Sequence, residues 1–404
     1  MTVRHLFEGV GVEIEWMTVA AESFAVRPLA PMLLTDDAGV VRDERDRGEL
    51  GWSNELATHV IEAKTLGVPA SLDGLGGAFL GEARAIAALL EPHGGRLLGG
   101  GAHPRMDPAT DATLWDGGQS EIYEAYDRIF TCAGHGWVNL QSVHLNLAFD
   151  GDDELHRLHR AVRLVLPLIP ALSAASPYLE GRRQPYLDAR LDTYRRNQAR
   201  VPQIAGLVVP EPILGVADYH ATILAPMYAA IAPHDPEGLL QDEWLNSRGA
   251  IVRFDRSALE VRVIDCQETP TQDLAICAQV VEVIRALTDG RLAAEGHDDA
   301  ASTEHLAKTF WSVAKDADEA VIDDPALLRS FGFEGEKTAA DVWRSLAERF
   351  PPASEHHAGL EAILDEGPLA RRMVRTLGDA PEPEALTALM SAMSECLVAG
   401  SPLP

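Results

Sequence analysis

A chain of 404 residues with 46% hydrophobic and 24% charged residues can bury a large core, which excludes an intrinsically disordered protein. No apolar run reaches the roughly 18 residues that a membrane-spanning helix needs, so a membrane protein of that type is also excluded. The formal charge of −28, from 62 acidic and 34 basic residues, disfavours a nucleic-acid partner, because such a protein needs a local basic patch and none is found.

The first predicted element is a strand over residues 10–16. Its apolar side chains occupy the even positions, while Glu13 and Glu15 occupy the odd ones. This period of two is typical of a strand with one apolar and one acidic face. The two carboxylates are therefore expected on the same face, about 7 Å apart.

The segment 54–64 carries two further glutamates, Glu55 and Glu62, at a spacing of seven residues. That spacing places both side chains on one face of a helix but on opposite faces of a regular strand. A strand here therefore requires a bulge or a turn between the two residues. A solvent-exposed amphipathic segment is the competing interpretation.

Two later strands, residues 143–147 and 259–263, repeat the design of the first. His144 and Asn146 share one face of the earlier strand, and Glu260 and Arg262 share one face of the later one. Helical periodicity occurs between and after these strands. The predicted helices cover residues 74–92, 119–133, 152–175, 271–290, 303–320 and 338–349, followed by two helices within 355–399 that a turn at 378–383 separates.

If the strands 10–16, 143–147 and 259–263 join one sheet, helices would pack on their apolar side and their polar faces would line one cleft. The three strands would then form a common site. Crowded carboxylates repel one another and burial adds a desolvation penalty, so such a cleft requires a compensating cation. Mg²⁺ prefers carboxylate oxygens and completes its shell with water and substrate phosphates. The competing interpretation is a half-exposed antiparallel sheet whose polar residues face water.

The start of the chain and the cysteines indicate the compartment. The N-terminus turns acidic at Glu8 and lacks the apolar core and cleavage site of a signal peptide. The four cysteines are scattered without a CxxC pair, which favours reduced thiols over a disulfide framework or a zinc site. A cytoplasmic location is therefore expected.

Six ordered blocks between residues 9 and 265 carry a resemblance to a known family. They are GVGVEIEW, ELATHVIEAKT, GGGAHP, LQSVHLNLAFDGDDE, LIPALSAASPYLEG and ALEVRVID. In this order they resemble the glutamate–cysteine ligase type 2, or carboxylate–amine ligase, family. The resemblance implies a catalytic domain over residues 1–290, and residues 291–404 are expected to form a helical extension packed on the same domain. Within GGGAHP, His103 is expected to stabilise the turn.

The fold implied by the resemblance is α+β: a curved, mostly antiparallel sheet that forms a funnel with helices outside, related to the catalytic domain of glutamine synthetase. By similarity, the carboxylates within this funnel bind Mg²⁺ or Mn²⁺. One ion is expected at Glu15, Glu55 and Glu62. Other ions, bridging the phosphates of ATP, are expected at Glu13, His144 and Glu260.

The resemblance also assigns roles to arginines. Arg262 and Glu260, on one face of the strand, are the expected catalytic residues, with Arg262 as the cation at the transferred phosphate. Arg190 and Asn146 are the substrate-binding candidates, and Arg248 joins Arg262 as a candidate for the ATP phosphates. For Arg190 and Arg248, a structural or surface ion pair is the competing interpretation. No GxxxxGK[ST] loop occurs, so metal ions and arginines would hold the triphosphate.

The implied function is an ATP-dependent ligase that activates a carboxylate, the γ-carboxylate of glutamate, as an acyl phosphate and joins it to an amine. Cysteine is the expected acceptor, and another amine is the alternative within this class. A nucleotide- or metal-binding protein without turnover is the alternative from a different class. The expected partners are these small molecules, with no nucleic acid and no membrane, and the sequence does not indicate an oligomeric state.

Overall fold

A computed structural model describes residues 4–118, 120–292 and 301–403 of the chain. Its centre is an eight-stranded antiparallel sheet, and two short two-stranded ribbons lie beside it. The strands are β1 (Val10–Ala20), β2 (Glu44–Asp46), β3 (Leu50–Asn54), β4 (Val60–Thr65), β5 (Gly95–Leu98), β6 (Ser142–Ala148), β7 (Tyr178–Leu179), β8 (Arg182–Arg183), β9 (Ala250–Arg253), β10 (Ala258–Asp265), β11 (Val321–Ile322) and β12 (Lys337–Thr338).

The strand order of the large sheet is β2-β3-β4-β1-β6-β10-β9, and β5 pairs with the second half of β1. The three strands predicted from alternation are therefore neighbours, as β1, β6 and β10. Their register places Glu13 opposite His144 and Asn146 opposite Glu260. The sheet is open, and the predicted α+β class with a mostly antiparallel sheet is confirmed.

Helices surround the sheet and form most of the second half of the chain. They are α1 (Ala30–Leu33), α2 (Leu75–Leu90), α3 (Pro108–Asp111), α4 (Ser120–Phe130), α5 (His135–Val138), α6 (Gly151–Val165), α7 (Pro170–Ser173), α8 (Ala189–Tyr194), α9 (Val216–Tyr219), α10 (Ala225–Ile231), α11 (Pro270–Thr288), α12 (Thr303–Asp316), α13 (Pro325–Ser330), α14 (Ala339–Arg349), α15 (His357–Glu366), α16 (Leu369–Leu377) and α17 (Pro383–Ala399).

The apolar side of the sheet packs against the helices α2, α6 and α11. In β1 the side chains of Val12, Ile14 and Trp16 are fully buried, as alternation predicts for the apolar face. They belong to the same hydrophobic cluster as Phe79 of α2 and Ile284 of α11. Burial of this face fixes which side of each strand the polar residues occupy, because a slip of one residue would exchange the two faces.

The turn between β3 and β4 resolves the ambiguity of segment 54–64. β3 ends at Asn54, β4 begins at Val60, and the Val60 N–H donates to the carbonyl of Ala57 over 3.0 Å. The chain reverses between the two glutamates, as a strand interpretation required. The solvent-exposed amphipathic interpretation is wrong, because Glu62 is only 6% exposed.

Most predicted helices are confirmed, with shifts of a few residues at their ends; residue 119, which opened one of them, lies outside the described residues. The segment 355–399 is a correction, because it forms three helices rather than two. The expected turn at 378–383 is present, but a second break separates α15 from α16. There Gly367 has a φ of +85°, a conformation that glycine adopts without strain, and Pro368 follows without a backbone N–H to continue the helix.

The helices after residue 301 pack on the body of the protein. Met390 and Met393 of α17 share a hydrophobic cluster with Met17 of β1 and Leu98 of β5. Arg372 of α16 donates to the buried carboxylate of Glu268 over 2.8 Å. The boundary of the predicted extension at 290/291 stays a prediction, and residues 293–300 lie outside the described residues.

None of the helices in the described ranges combines the length and apolar composition that crossing a membrane requires. The four cysteines are free and buried.

Candidate functional site

Three glutamates converge on the polar face of the sheet. Glu15 of β1 lies directly opposite Glu62 of β4, and Glu55 reaches the same place from the turn after β3. One carboxylate oxygen from each of these residues lies within 4.8 Å of the others. The prediction that Glu55 and Glu62 approach Glu15 through a bend is confirmed by this geometry, while their role as ligands of one metal ion stays a prediction.

His144 extends this cluster toward β6. Its Nδ1 lies 3.0 Å from Oε2 of Glu13, and its Nε2 lies 3.9 Å from Oε1 of Glu15. Glu13, Glu62 and His144 also bring one potential ligand atom each within 4.8 Å of one another. The two groups of three therefore share Glu62 and form one continuous polar cluster.

Glu260 occupies the β10 side of the cluster and accepts hydrogen bonds from two guanidinium groups. Arg262 donates through Nε over 3.1 Å and also through Nη2, and Arg253 of β9 donates through Nη1 over 3.1 Å. Glu260 is only 1% exposed. A half-exposed sheet whose polar residues merely face water is therefore the wrong interpretation of this face.

Two further cations approach the carboxylates from neighbouring segments. Arg256, in the turn between β9 and β10, donates to Oε1 of Glu13 over 2.8 Å. Nζ of Lys64 lies 3.6 Å from Oε1 of Glu62 and 2.6 Å from Glu44 at the sheet edge. Both contacts favour the ionised form of the carboxylate that they approach.

Burial and neighbouring charges shift the pKa values of the clustered glutamates in different directions. Burial raises the pKa of Glu62 to about 7, and the charge of Glu13 adds to this rise. Burial and the charges of Glu15 and Glu62 raise the pKa of Glu55 well above its usual value. Burial also opposes ionisation of Glu13, but the hydrogen bond and charge of His144 hold its pKa below the usual value.

His144 and Glu260 form the ionised part of the site. Burial lowers the pKa of His144, but its hydrogen bond to Glu13 and the charges of Glu260 and Glu15 raise it to about 9. Burial opposes the ionisation of Glu260, but the charges of Arg262 and His144 hold its pKa below the usual value. An imidazolium at this position must lose a proton before its nitrogen can bind a metal ion.

Two cavities open on either side of this cluster. A smaller one of about 150 Å³ is lined by charged residues and by an apolar wall. Its lining residues are Glu15, Glu55, Leu56, Ala57, Val60, Trp137, Leu140, Ser142, His144, Arg190, Tyr194 and Arg262. A larger one of about 470 Å³ is lined by Glu13, Asn146 and Arg256 together with Gly11, Thr65, Val68 and Phe149. Because Glu13 contacts His144 directly, the charged cluster lies between the two spaces.

The predicted substrate-binding residues divide between these cavities. Arg190 of α8 lines the smaller one, where its Nε donates to Asp265 and its Nη atoms lie 3.4 Å from the carbonyl of Arg262. Asn146 lines the larger one and donates to Glu13 over 3.3 Å. Arg190 therefore combines a structural ion pair with a place at the cavity, and the substrate roles of both residues stay predictions.

Arg248 lies apart from both cavities. Its Nε and Nη2 donate to the two carboxylate oxygens of Glu211 over 2.5 and 2.7 Å, and its Nη1 is directed at backbone carbonyls and at Asn246. This bidentate pair is the structural alternative that the sequence left open. The assignment of Arg248 to the ATP phosphates stays a prediction that this geometry does not support.

The glycine-rich turn before His103 serves close packing. A Cβ atom at Gly99 would lie 2.4 Å from the carbonyl oxygen of Gln267, and one at Gly101 would lie 2.4 Å from the side chain of Asp265. The turn thus fits against the end of β10. Nδ1 of His103 accepts the N–H groups of Arg105 and Met106, and Nε2 lies 2.7 Å from the carbonyl oxygen of Phe24, which confirms its turn-stabilising role.

Several residues of the site escaped the sequence analysis. Arg253, Arg256 and Tyr194 belong to segments without a diagnostic motif, and only the fold brings them to the cluster. Lys64 was detectable, because it follows Glu62 by two residues on a strand and therefore shares its face. Trp137 lies in the short helix α5, which is too short for a periodicity signal.

The donor set fits a divalent cation. Carboxylate oxygens, which Mg²⁺ and Mn²⁺ prefer, converge from four glutamates. Burial and the charges of neighbouring glutamates raise the pKa values of Glu55 and Glu62, and a bound cation would offset both effects. Glu15, Glu55 and Glu62 would hold one ion, and Glu13 with its neighbours would hold another. A bound cation would neutralise these carboxylates and attract phosphate oxygens.

Comparisons with known proteins agree with this architecture. An uncharacterised protein of Archaeoglobus fulgidus is 36% identical over 277 residues, which cover 69% of this chain and 74% of that protein. A Rubrobacter xylanophilus protein, provisionally named glutamate–cysteine ligase 2-3, is 30% identical over 190 residues, about half of each chain at 46% and 47%.

Two solved structures share the fold. The glutamate–cysteine ligase of Francisella tularensis, determined in complex with AMP, superposes with a TM-score of 0.60 at 13% identity and covers 98% of this chain and 90% of its own. A bifunctional glutathione synthetase from Pasteurella multocida gives a TM-score of 0.60 at 14% identity over 98% of this chain and 53% of its own.

The family described as glutamate–cysteine ligase family 2 (GCS2) matches residues 9–390. The match spans nearly the whole chain, including most of the helices beyond residue 290, and the protein therefore belongs to glutamate–cysteine ligase family 2.

Proposed function

We propose that the protein is an ATP-dependent, ADP-forming ligase that joins the γ-carboxylate of glutamate to an amine, with cysteine as the first candidate acceptor. The observation that carries this proposal is a carboxylate cluster that borders two cavities of different size, with Arg262 lining the smaller one. A ligase of this kind needs that arrangement, because a nucleotide and a second substrate must meet at a common set of charges.

The larger cavity is the proposed nucleotide side. Arg256 lines it and is held by Glu13, so that a guanidinium group is available beside the carboxylate cluster. Divalent ions held by Glu13, Glu15, Glu55 and Glu62 would supply the positive charge that offsets the triphosphate. This arrangement would replace the phosphate-binding loop that the sequence lacks.

The smaller cavity is the proposed carboxylate and amine side. Arg190 and Arg262 present positive charge to it, while Leu56, Val60 and Trp137 provide an apolar wall. A substrate carboxylate there can hydrogen-bond to a guanidinium and face the γ-phosphate across the cluster. The rigid ion pairs of both arginines, to Asp265 and to Glu260, limit their movement and so fix the direction of approach.

In the first proposed step, a carboxylate oxygen of the substrate attacks the γ-phosphorus and the bond to the β-phosphate oxygen breaks, which releases ADP and leaves an acyl phosphate. Arg262, which lines the smaller cavity, is the proposed donor to the phosphoryl oxygens as they approach. In the second step, a neutral amine attacks the acyl carbon, phosphate leaves, and the amine nitrogen loses its extra proton. Among the described residues that line the smaller cavity, no group specific for a thiol is identified, so other amines are the alternative acceptors.

The test is Mg²⁺-dependent ADP release with glutamate, run with hydroxylamine and with a panel of amino acids and amines. Hydroxylamine intercepts an acyl phosphate as a hydroxamate, which reports carboxylate activation whichever amine is the natural acceptor. We expect glutamyl hydroxamate in the parental protein and its loss in Arg262→Ala. A nucleotide- or metal-binding protein without turnover would bind ATP in a calorimetric titration yet release no ADP with any member of the panel, and that result would reject the proposal.

A further inference from the structure

A separate group of potential metal ligands lies where the start of α2 meets the segment before α15. It consists of Asp73, in the loop before α2, and of Glu355 and His356, in the helical turn Ser354–His356 that precedes α15. One ligand atom from each of the three residues lies within 4.8 Å of the other two. None of the three lines either cavity at the carboxylate cluster.

The fold holds the two segments of this group against each other. The Gly74 N–H donates to Oε1 of Glu355 over 2.9 Å, across 281 residues of sequence. Gly359 of α15 packs closely on α11, because a Cβ atom there would lie 3.0 Å from the Cβ of Ala275. A hydrogen bond to a carboxylate orients it for metal binding, as outer contacts of metal ligands commonly do. The backbone on both sides of the group is therefore held in place.

His356 supplies the observation that points to a ligand. It is 5% exposed, and its Nε2 is buried without a hydrogen-bond partner among the described residues. Buried polar groups are nearly always hydrogen-bonded, and one left unpaired costs free energy. The neighbouring His357 shows the ordinary arrangement, because its Nε2 lies 2.9 Å from the carbonyl oxygen of Pro352. The unpaired nitrogen of His356 is thus open to a partner that the described part of the chain does not supply.

This nitrogen faces the carboxylate of Glu355. The distance from Nε2 to Oε1 is 3.5 Å, longer than the roughly 2.7 to 3.2 Å of an ordinary hydrogen bond. A nitrogen and an oxygen that bind one Zn²⁺ ion at about 2.0 to 2.2 Å, in tetrahedral geometry, are about 3.4 Å apart. Burial lowers the pKa of His356, against the charges of Glu355 and Asp73, which favours the neutral ring that metal binding requires. The spacing therefore fits two ligands of one ion better than a hydrogen-bonded ion pair.

The group also has access to solvent and room for water. Asp73 and Glu355 are exposed, so an ion can reach them from outside. Asp73 and His356 border a cavity of about 210 Å³, in which water molecules could complete the shell of a bound ion. Arg285 of α11 lines the same cavity, and its Nε lies 3.5 Å from Oε1 of Glu282. That arginine therefore has a carboxylate partner outside the group of three.

We propose that Asp73, Glu355 and His356 bind one divalent transition-metal ion, with Zn²⁺ as the best fit to one imidazole nitrogen and two carboxylate oxygens. The ion would offset the repulsion between the two carboxylates and would occupy the unpaired nitrogen. It would also join the start of α2 to α15, and so tie the C-terminal helices to the body of the protein. The site is separate from the proposed ligase site and is independent of the proposed ligase function.

Calorimetric titration of Zn²⁺ into the full, untagged chain tests this site, after bound metal has been removed with a chelator. Excess Mg²⁺ is present throughout to occupy sites made of carboxylates. Asp73→Asn keeps the size and the turn-forming character of the residue but removes its charge. Glu361→Gln, a change of the same kind at an exposed carboxylate of α15, is the matched control. The melting temperature of each protein is measured with and without Zn²⁺.

We expect Zn²⁺ to bind to the parental protein and to Glu361→Gln with the same affinity, and to raise the melting temperature of both. In Asp73→Asn the affinity should fall at least about tenfold, the lower end of the loss that even outer contacts of metal ligands show. His356→Gln, which removes the imidazole, should weaken binding as well. If that buried variant does not fold, the exposed pair Asp73→Asn and Glu361→Gln decides the matter by itself.

Zn²⁺ could also bind at the carboxylate cluster, so Glu62→Gln is the required control. The binding step that Asp73→Asn weakens should persist in that variant. Binding that is lost in Glu62→Gln but equal in Asp73→Asn and Glu361→Gln would assign the ion to the carboxylate cluster and overturn this inference, leaving the proposed function untouched. Absence of Zn²⁺ binding, or equal affinities in all of these variants, would overturn it as well.

Discussion

The two arginines that hold Glu260 allow a direct test of whether Arg262 acts on substrate. Both donate to the same buried carboxylate, yet only Arg262 lines the smaller cavity, and Arg253 lines neither of the two cavities at the cluster. Arg262→Gln and Arg253→Gln therefore each remove one ion pair to Glu260, and Arg253→Gln also removes the pairs of Arg253 with Glu243 and Asp255. Only Arg262→Gln also removes a donor that could reach substrate.

Removing one partner of a buried ion pair typically costs about 3 to 5 kcal/mol, and we expect both variants near the lower end because Glu260 keeps one guanidinium in each. The effect on turnover should differ. Loss of a donor directed at the transferred phosphate typically lowers turnover about 10²- to 10³-fold, equivalent to about 2.7 to 4 kcal/mol, so Arg262→Gln should show that loss while Arg253→Gln stays close to the parental rate.

The assay is ADP release at saturating ATP and glutamate over a range of Mg²⁺ concentrations, with the free energy of unfolding measured in urea. Raised Mg²⁺ should not rescue Arg262→Gln, because the cluster carboxylates are intact. It should partly rescue Glu260→Gln if weakened ion binding is the main defect of that variant. Equal losses of turnover in Arg262→Gln and Arg253→Gln would refute the reasoning, because they would show that both arginines act only by neutralising Glu260.

Three further predictions concern stability. Because the folded pKa of Glu62 is raised to about 7, the stability that its neutral form contributes is lost as pH rises from about 4.5 through 7. Without divalent ions, Glu62→Gln should therefore be more stable than the parental protein at pH 8, by about 1 to 3 kcal/mol. Below pH 4.5 the variant should be no more stable than the parental protein. Urea unfolding at both pH values checks this, and equal stability at pH 8 would contradict it. Burial lowers the pKa of His103 to about 4, so the stability that its neutral ring contributes is complete above about pH 6.5 and is lost as pH falls toward 4. Unfolding should therefore take up protons in that window. An unfolding free energy that does not change with pH there would count against this prediction. Gly99→Ala should lower the free energy of unfolding by about 1 to 3 kcal/mol because its Cβ would meet the carbonyl of Gln267, whereas Gly77→Ala, in open space on α2, should raise it by about 0.5 to 1 kcal/mol. Similar effects of the two alanines on the unfolding midpoint would contradict this reading of the turn.

Alternation along single strands was sufficient to predict the polar face of the sheet. Glu13, Glu15, His144 and Glu260 were identified because a strand directs every second side chain to the same side, whatever its neighbours are. Helices such as α2 and α11 were predicted for the same local reason, since their apolar residues recur at helical spacing. The resemblance added the metal and phosphate roles, which alternation alone cannot assign.

The pairing of the strands was decided only by the tertiary structure. Alternation defines two faces but not which strand lies beside which, so the contact of Glu13 with His144, 131 residues away in the chain, could not be read from the pattern. The turn between Glu55 and Glu62 was equally undetermined, because their spacing permits a helix, a bulged strand or a hairpin. Burial of the apolar face against the helices selected the hairpin.

The partners of the arginines were also outside the reach of the sequence. Arg190 was a candidate for the carboxylate substrate and Arg248 for the ATP phosphates, yet their partners, Asp265 and Glu211, lie 75 and 37 residues away. A guanidinium group carries the same charge in a cavity and in a structural ion pair, and only the surrounding fold decides which it joins. The sequence therefore determined which face of the three alternating strands is polar, and the packing of distant segments determined which other side chains join that face and which charges are available to a ligand.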